Sequence, residues 1–518
     1  RSKVNRLIDQ LDQDVKKIRE QKLPQRDQNK KLKEVHDKYV VDINKEVGSH
    51  LDSVGHGYSQ MMQARMSGKI NPDQFRQMLA SPLLMTDVYD NTVPAVITSN
   101  YGRGMKPSDY ILTTPGARKG MVGKSLSTAQ PGFLAKEIAG NLSPVRITTK
   151  DCNTQNGVNM LLNDAQYKNY DVDLLDRHLL KDIPGTSYKR NDPVTPEMLS
   201  RLRDMKKTTI WVRSPMTCQA NPAPCQLCAG RDASGVLHPI GSNIGLNYGQ
   251  TVSERSTQLI LKSFHSGGTL GSGDSLSQGF ARLRELLSAP ETVREQGTLA
   301  DIAGRVHNIR PAPQGGSYVT ILGTSGSPKE HYVAAGRVVK VKVGDTVEIG
   351  DPLSDGSYRP QELAQKKGLL AAQQYVVSEA RKAYQQAGAV VRMPVVEVLA
   401  AGTMRYVKIT NDGDEDGLAI GDVIPEQVYD QKRAKNPRIK AVPELPGLGA
   451  KPLMSTDLME RLNFQRLEDA VREIPAIGGK SDLTGASGSP MAGFAYGIAF
   501  RPGEAAHQLK AAELTGPF

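Results

Sequence analysis

The sequence predicts a multidomain α+β protein, and three observations carry this prediction. The chain has 518 residues, which is enough for three or more structural units. Apolar residues near the N-terminus recur at spacings of three and four, a pattern typical of helices with a narrow apolar seam. Farther along, Val339, Val341 and Val343 alternate with lysines, and this period of two predicts β-strands between residues 300 and 360.

Composition restricts the class of protein and of partner. Formal net charge is +11, which favours a polyanionic partner such as nucleic acid, although many solvated surfaces are also basic. Hydrophobic residues make up 38% of the chain and aromatic residues 5%, so its parts are expected to lean on partner chains. The sequence has no run of 18 apolar residues that would predict a membrane span, and its charged N-terminus is unlike a signal peptide.

The first 145 residues are predicted to be mainly helical. Residues 1–56 should form a helical hairpin, because Pro24 separates two stretches that share the 3-4 apolar spacing. Residues 57–95 form a loop region that contains a helix start at Pro72-Asp73. Residues 96–145 begin with an apolar segment and continue as a helix that contains several glycines.

All four cysteines lie in the irregular region 146–240. Cys218, Cys225 and Cys228 have the spacing Cys-x6-Cys-x2-Cys, and Cys152 is remote in sequence. A Cys-x2-Cys pair places two thiolates on one tight turn, where both can approach a tetrahedral ion. Two disulfides or free buried thiols are the alternatives, and disulfides are disfavoured without a secretory signal. The pattern therefore favours a closed structural zinc site.

Region 241–299 contains a short predicted helix that runs into a glycine hinge, Thr257–Gly268. Gln258, Lys262 and His265 are spaced i, i+4 and i+7 and so share one helix face. A cationic helix face beside a flexible Gly/Ser-rich loop suits closure over a phosphate-bearing ligand. From these residues alone, a surface helix followed by a linker is the favoured interpretation.

The remaining chain alternates between strand and helix patterns. A helix is predicted from Phe280 to Ala289, and a second from Pro360 to Ala387 after the valine-rich strands of region 300–400. Region 401–518 has a mixed α/β pattern, and its acidic stretch Asp412–Gly417 is predicted to be a surface turn.

Five segments, in this order, resemble the C-terminal half of the largest, beta-prime, subunit of bacterial-type multisubunit DNA-dependent RNA polymerase. The segments are Asp73–Met78; Thr98–Met105 with Gly116–Gly120; Asp151–Gly157 with Cys218–Asp232; Thr257–Gly268; and Gly350–Gly356 with the helix after it. The trigger-loop-like segment and the four-cysteine segment are the most specific of the five, and the others add order and spacing.

The resemblance implies an arrangement of modules and a set of functional residues. The implied modules are a rim-like helical hairpin (1–56), a loop region bracing the bridge helix (57–95), the bridge helix (96–145), a zinc-binding module (146–240), the trigger loop with flanking helices (241–299), a small sandwich-hybrid β-barrel and helix (300–400), and a clamp-like C-terminal region (401–518). One structural zinc ion would be held by Cys152, Cys218, Cys225 and Cys228.

The resemblance also assigns roles in nucleotidyl transfer. His265 would face the β-phosphate of the bound nucleotide, Lys262 would offset triphosphate charge, and Leu261 would press on the base. Gln258 would lie near the ribose. On the bridge helix, Thr128 and Ala129 would contact the template base, and the match also includes Arg118 and Lys119.

The chain departs from the family pattern at several positions. Arg255-Ser256 replaces the usual Pro-Gly, which predicts a stiffer hinge, and Lys262 replaces an arginine, which removes bidentate phosphate binding. Pro131 lies within the bridge-helix match and should bend or break that helix. The three-aspartate motif Asn-Ala-Asp-Phe-Asp-Gly-Asp that binds the family's catalytic magnesium is absent from the sequence.

The missing motif implies that a partner chain holds the catalytic magnesium. The implied partners are the N-terminal part of beta-prime, beta-like chains, the DNA template, the RNA product and nucleoside triphosphates. Binding to a membrane is not expected. A split subunit with divergent motifs favours a giant bacteriophage as the source. The protein would then act in the cytoplasm of the infected bacterial cell, and it could also be packaged in the virion.

Two other functions stay open at this point. One is a zinc-stabilised nucleic-acid-binding scaffold without catalytic parts. The other is a biotinyl or lipoyl carrier, suggested by Val341–Val347 and Gly350–Leu353 but disfavoured because no lysine stands at the expected hairpin tip.

Overall fold

The structure, a computed structural model, describes most of the chain from Ser2 to Gly479. The described residues are 2–54, 60–67, 70, 72–87, 91–163, 171–220, 224–232, 234–264, 274–323, 326–386, 391–455, 457–464 and 467–479. They fall into two compact units. Unit 1 draws on Arg1–Phe133, Glu254–Ala281 and Ala383–Val390, and unit 2 draws on Leu134–Ser253, Arg282–Lys382 and Val391–Phe518.

Helices and short antiparallel sheets together give the mixed α+β architecture that the sequence predicts. The helices are α1 (Ser2–Glu20), α2 (Gln25–Val54), α3 (Gln60–Met66), α4 (Pro72–Leu79), α5 (Pro107–Ser127), α6 (Ala129–Leu142), α7 (Asp171–Leu174), α8 (Pro196–Asp204), α9 (Gln226–Ala229), α10 (Ile244–Phe264), α11 (Asp274–Ser288), α12 (Pro360–Lys367), α13 (Leu369–Gln386), α14 (Met393–Thr403), α15 (Glu426–Lys435), α16 (Gly447–Ala450), α17 (Leu458–Phe464) and α18 (Leu467–Ala476). The strands are β1 (Val158–Leu161), β2 (Thr209–Val212), β3 (Gly304–Pro311), β4 (Ser317–Gly323), β5 (Pro328–Val333), β6 (Thr346–Val347), β7 (Tyr406–Asn411), β8 (Val423–Pro425) and β9 (Lys440–Pro443).

The N-terminal part of unit 1 is the predicted helical hairpin. Helices α1 and α2 run antiparallel, since Lys3 pairs with Glu46 while the Tyr39 hydroxyl donates to Asp14 at 2.9 Å. The apolar seam meets between the helices, where Leu11 of α1 is fully buried. The 3-4 spacing therefore predicted the packed face as well as the helices.

A buried histidine gives this unit a predicted pH dependence. His36 is 1% exposed, and burial together with the nearby guanidinium of Arg76 lowers its pKa to about 4, although Asp37 and Asp73 partly oppose this. Because the unfolded chain binds the proton from about pH 6.5 downwards, stability is complete above that pH and falls as the pH drops towards 4. The lost stability is about 3 kcal/mol at most.

The measurement is the unfolding free energy of the wild type and of His36→Leu between pH 4 and 7. We expect the difference between the two proteins to move by up to about 3 kcal/mol in favour of the variant as the pH falls. A difference that stays constant across this range would contradict the buried, neutral state of His36.

The region predicted to be the bridge helix contains two helices rather than one. Helix α5 ends at Ser127 and α6 begins at Ala129, so the hydrogen-bonded helix is interrupted at Thr128, which itself keeps helical dihedral angles (φ −65°, ψ −23°). Pro131 has no N–H to donate to the carbonyl of Ser127, and its ring clashes with that carbonyl in a continuous helix. The break predicted from Pro131 is therefore confirmed, three residues ahead of the proline.

Among the described residues of unit 2, three sheets form, and all of their pairings are antiparallel. Strands β1 and β2 pair with Val158 opposite Val212, β5-β4-β3-β6 form a four-stranded sheet, and β8-β7-β9 form a three-stranded one. The four-stranded sheet buries Val306, Val319 and Ile321 in its own core. This sheet occupies the region where the sequence predicts a small barrel.

The strand prediction for Val339–Val343 is wrong. Val339 makes one isolated bridge to Ser354, and the chain turns at Lys342–Asp345, where the Asp345 N–H donates to the Lys342 carbonyl at 3.1 Å. Val339 and Val341 pack against the sheet core, whereas Val343 is 60% exposed. Apolar residues at every second position indicate an extended chain with one buried face. A β-strand also needs a neighbouring backbone with which to form hydrogen bonds.

Three helix boundaries differ from the predicted ones. Helix α10 begins at Ile244, well before the predicted start at Thr257, and α11 begins at Asp274 rather than at Phe280. The helix predicted over Pro360–Ala387 is split at Gly368, which has φ +89°. This left-handed conformation ends α12 and is readily adopted only by glycine.

Helix α14 is joined to the cysteine-containing region of unit 2 by a buried ion pair. The Arg177 guanidinium donates to both carboxylate oxygens of Glu397, at 2.7 and 2.9 Å, and the two side chains are 3% and 0% exposed. The Ser214 hydroxyl donates to the same carboxylate at 2.8 Å. Nearby, Arg381 pairs with Asp173. Residues far apart in sequence thus form one charged network inside the unit.

Candidate metal centre and catalytic segments

Local backbone structure brings the four cysteines towards one point. Cys218 follows β2 through a 3-10 turn, and Cys225 begins the single turn of α9 that carries Cys228. That turn ends at Gly230, which has φ +82° and whose added Cβ would lie 2.7 Å from the Asp176 carbonyl oxygen. Glycine is therefore required where the chain leaves the Cys-x2-Cys turn.

The four sulfur atoms lie within 4.8 Å of one another. The Sγ atom of Cys152 is 3.5 Å from that of Cys218 and 3.7 Å from that of Cys228. Tetrahedral zinc with bonds of about 2.3 Å to sulfur needs sulfurs separated by about 3.8 Å. The predicted grouping of Cys152 with the other three cysteines is confirmed, and the cluster fits a tetrahedral metal ion.

The surroundings of the cluster shift the pKa values of its thiols in opposite directions. Backbone N–H groups of Gln219, Ala220 and Cys225 donate to the sulfurs at 3.3–3.5 Å. Hydrogen bonds from the neighbouring thiols hold the pKa of Cys152 well below its usual range, whereas the same crowding, together with burial, raises the pKa of Cys228. Four thiols this close cannot all ionise unless a cation lies among them.

Arg213 is a neighbour of the cluster that the sequence did not indicate. It directly follows β2, and its Nη2 atom lies 3.4, 3.8 and 3.5 Å from the sulfurs of Cys152, Cys225 and Cys228. Burial opposes its charge, but the Cys228 thiolate and the Asp151 carboxylate raise the pKa of Arg213. No local spacing marks this arginine, because its partners come from separate parts of the chain.

The predicted trigger segment lies on helix α10. Gln258, Leu261 and Lys262 are within this helix, and the side chains of these three residues lie outside what the structure describes. Helical periodicity places Gln258 and Lys262 one turn apart on one face. His265 and residues 266–273 lie outside the described residues.

Helix α10 runs without interruption through Arg255-Ser256, where the sequence departs from the family pattern. Ser256 is fully buried, and its hydroxyl shares a hydrogen bond of 2.8 Å with that of Tyr384 on α13. Burial raises the pKa of Tyr384 well above its usual value. The sequence marked Ser256 as unusual, but nothing in it pointed to Tyr384 as the partner.

The predicted template-contacting residues lie at the break between α5 and α6. Thr128 and Ala129 are exposed, and the Thr128 hydroxyl donates to the carbonyl of Ser125 at 3.1 Å. Arg118 is exposed on α5, and the side chain of Lys119 on the same helix is not described.

Comparisons with known proteins identify the family that this chain resembles. Residues 104–432 match the family model described as RNA polymerase Rpb1, domain 5. The DNA-directed RNA polymerase subunit beta' of Symbiobacterium thermophilum is 28% identical over 82% of this chain and 36% of its own length. The subunits of the same name from Moorella thermoacetica and Pelotomaculum thermopropionicum are each 28% identical, over 81% and 82% of this chain and 37% of their own length.

The chain thus spans about a third of the length of the curated relatives it matches. Among the described residues, none of the helices combines the length and apolar character that crossing a bilayer requires. The family model covers well over half of the chain, including helix α5, the four cysteines and helix α10. This chain therefore belongs to the RNA polymerase Rpb1 domain 5 family and corresponds to a C-terminal part of a beta-prime-like subunit.

Proposed function

We propose that this chain is a subunit of a DNA-dependent RNA polymerase that supplies the bridge helix and the trigger loop for nucleotidyl transfer. The observation that carries the proposal is the position of α10 within the family match, after a four-cysteine cluster and a glycine-containing helix. Nucleotidyl transfer depends on alignment and charge neutralisation more than on covalent help from side chains.

In this proposal, the end of α10 folds against the incoming nucleoside triphosphate. His265 faces the β-phosphate as a positional or acid-type catalyst, and Lys262 offsets the triphosphate charge. Leu261 presses on the base, while Gln258 lies near the ribose. The uninterrupted helix through Arg255-Ser256 supports a trigger segment that is already helical at its base.

The bridge helix corresponds to α5 and α6 in this proposal. Thr128 and Ala129 are exposed at the break between these helices, which leaves them accessible to a template base. Arg118 is exposed on α5 and adds positive charge near the path of the nucleic acid. Lys119, the next residue of α5, is also basic and adds to this charge.

The catalytic magnesium is proposed to come with a partner chain. The sequence lacks the three-aspartate motif, and the acidic stretch Asp412–Gly417 lies in turns, with the Asp414 side chain 94% exposed. The partners we propose are the N-terminal part of beta-prime, beta-like chains, DNA template, RNA product and nucleoside triphosphates.

The four-cysteine cluster is proposed to hold one structural zinc ion. Four thiolates at tetrahedral spacing suit zinc and leave no open position for a substrate. The metal would join loops that are remote in sequence and take no part in the chemistry. The assignment of the chain to seven modules, including a barrel over residues 300–400, stays a prediction. The giant-bacteriophage source also stays a prediction.

The proposal is tested by nucleotide addition in the reconstituted polymerase. His265→Ala and Lys262→Ala should each slow single-nucleotide addition tenfold or more, because a positioned acid or cation acts on the transition state. Lys262→Arg should retain most of the rate, since it keeps the charge. Lys16→Ala, at an exposed position of α1, is the matched control and should add nucleotides at the wild-type rate.

The alternative is a non-catalytic zinc-stabilised scaffold that binds nucleic acid. It predicts that both alanine variants assemble, bind template and add nucleotides as fast as the wild type. That result would contradict the trigger-loop assignment and leave the scaffold as the better interpretation.

A further inference from the structure

We infer that Arg213 is a positioning residue of the four-cysteine centre, where its guanidinium orients three of the four thiolates and reduces their net negative charge. The inference rests on the metal ion proposed above. The metal centre itself follows from the cysteines, whereas the role of Arg213 follows from its own contacts.

A single nitrogen of Arg213 spans most of the cluster. Nη2 lies 3.4 Å from the Cys152 sulfur, 3.5 Å from the Cys228 sulfur and 3.8 Å from the Cys225 sulfur. The side chain is 0% exposed, so water does not screen these interactions. The fourth sulfur, that of Cys218, accepts instead from the backbone N–H groups of Ala220 and Cys225.

Further hydrogen bonds hold the guanidinium in place. Nη2 also donates to the Asp151 carboxylate at 2.5 Å, and Nη1 donates to the Asn191 side-chain oxygen at 2.8 Å. The Arg213 backbone N–H donates to the His178 carbonyl at 2.9 Å, next to the isolated bridge between Val212 and Leu179. The planar group therefore has one orientation, with its charge directed at the sulfurs.

Charge explains why a cation belongs at this position. Four thiolates around one divalent ion carry two net negative charges, and burying them without compensation is unfavourable. The backbone N–H donors supply dipoles but no net charge. Asp151 is 24% exposed and so is partly screened by solvent, whereas the Arg213 guanidinium is wholly buried against the sulfurs. The cation thus acts on the thiolates more strongly than the carboxylate does.

Position explains why this cation is an arginine. Cys152 is 61 residues from Arg213 in sequence, and the Cys225–Cys228 turn lies after it. By holding Asp151 and the sulfurs together, Arg213 connects the loop of Cys152 to that turn. A lysine ammonium at this place could approach the sulfurs, but it could not also hold Asp151 and Asn191 in the fixed geometry of the guanidinium.

The experiment measures how fast the full chain transfers zinc to the chelating dye 4-(2-pyridylazo)resorcinol. Arg213→Met should release zinc at least tenfold faster than the wild type. Mutation of a residue that orients a metal ligand typically lowers metal affinity by roughly 10–100-fold, which sets this expectation. Arg213→Lys should lie in between. Arg190→Met is the matched control, because Arg190 lies in the same region and donates to Gln155 and Thr154, not to a cysteine, and it should release zinc at the wild-type rate.

A second measurement separates metal positioning from ordinary structural support. Thermal unfolding of the zinc-loaded and metal-free chains gives the stabilisation by zinc for each variant. If Arg213 acts on the metal centre, this increment shrinks in Arg213→Met. An unchanged increment and an unchanged release rate would overturn the role of Arg213 while leaving the zinc site intact.

A wild-type chain that binds no zinc would overturn the proposed metal as well as the role of Arg213. If Arg213→Met does not fold, Arg213→Lys provides the same comparison, because it keeps the charge and most of the volume. Wild-type release and an undiminished increment in Arg213→Lys would then overturn the inference.

Discussion

Removing the proposed zinc ion with a chelator is expected to unfold the region around the four cysteines, the largest effect that we predict. Structural zinc contributes about 10–16 kcal/mol in zinc-finger peptides, which is comparable to the whole stability of a domain. The apolar cluster at the site consists mainly of the cysteines with Ala220 and Leu227, so little other burial replaces the ion.

The single tryptophan of the chain reports on this unfolding. Trp211 lies on β2, two residues before Arg213, and is 38% exposed. Chelation should shift its emission towards that of a solvated indole, and added zinc should reverse the change. Cys228→Ser is the control: it should resemble the chelated wild type and respond no further to chelator. Trp211 emission that stays constant after complete removal of zinc would contradict the prediction.

Arg177→Met is expected to lower the free energy of unfolding by about 3–5 kcal/mol, the second largest effect. The substitution leaves the Glu397 carboxylate, which is 0% exposed, without its bidentate partner inside unit 2. The Ser214 hydroxyl still donates to it, but one neutral hydrogen bond does not compensate a buried charge. The pair itself contributes little net stability, so the loss comes from the charge that is left behind.

Denaturant unfolding of two further variants tests this explanation. Arg177→Met combined with Glu397→Leu should recover much of the lost stability, because it removes the uncompensated carboxylate. Arg310→Met is the matched control: Arg310 also binds Glu330 through both carboxylate oxygens, at 2.9 and 3.0 Å, but both side chains are about half exposed. Its loss should stay below about 1 kcal/mol. Equal losses in Arg177→Met and Arg310→Met would refute the account.

Features encoded within one stretch of chain were predictable. The apolar seam of the hairpin predicted both helices and the buried face that contains Leu11, because helical periodicity is a local property. The Cys-x2-Cys spacing predicted a ligand turn for a similar reason, and the scarcity of cysteines made Cys152 the natural fourth member. Pro131 predicted the break between α5 and α6, since its effect acts on the preceding turn.

Features that need a second stretch of chain were not predictable in this way. The valines from Val339 to Val343 have strand periodicity, yet their pairing partner is missing over most of the segment. The start of α10 at Ile244 also went unrecognised, because the sequence before Thr257 lacks a clear amphipathic pattern. Periodicity reports which side of a segment is buried, and it does not report which backbone lies beside it.

By itself, the sequence determined which residues are available for this protein's sites: four cysteines of metal-binding spacing, Gln258, Lys262 and His265 at helical spacing, and no aspartate triad. Only the tertiary structure decided that Arg213 lies against three of those sulfurs and that Arg177 meets Glu397 across 220 residues of sequence. The physical reason is that ligand spacing is a property of a short turn. Charge compensation in a buried site depends instead on distances through space, which folding alone establishes.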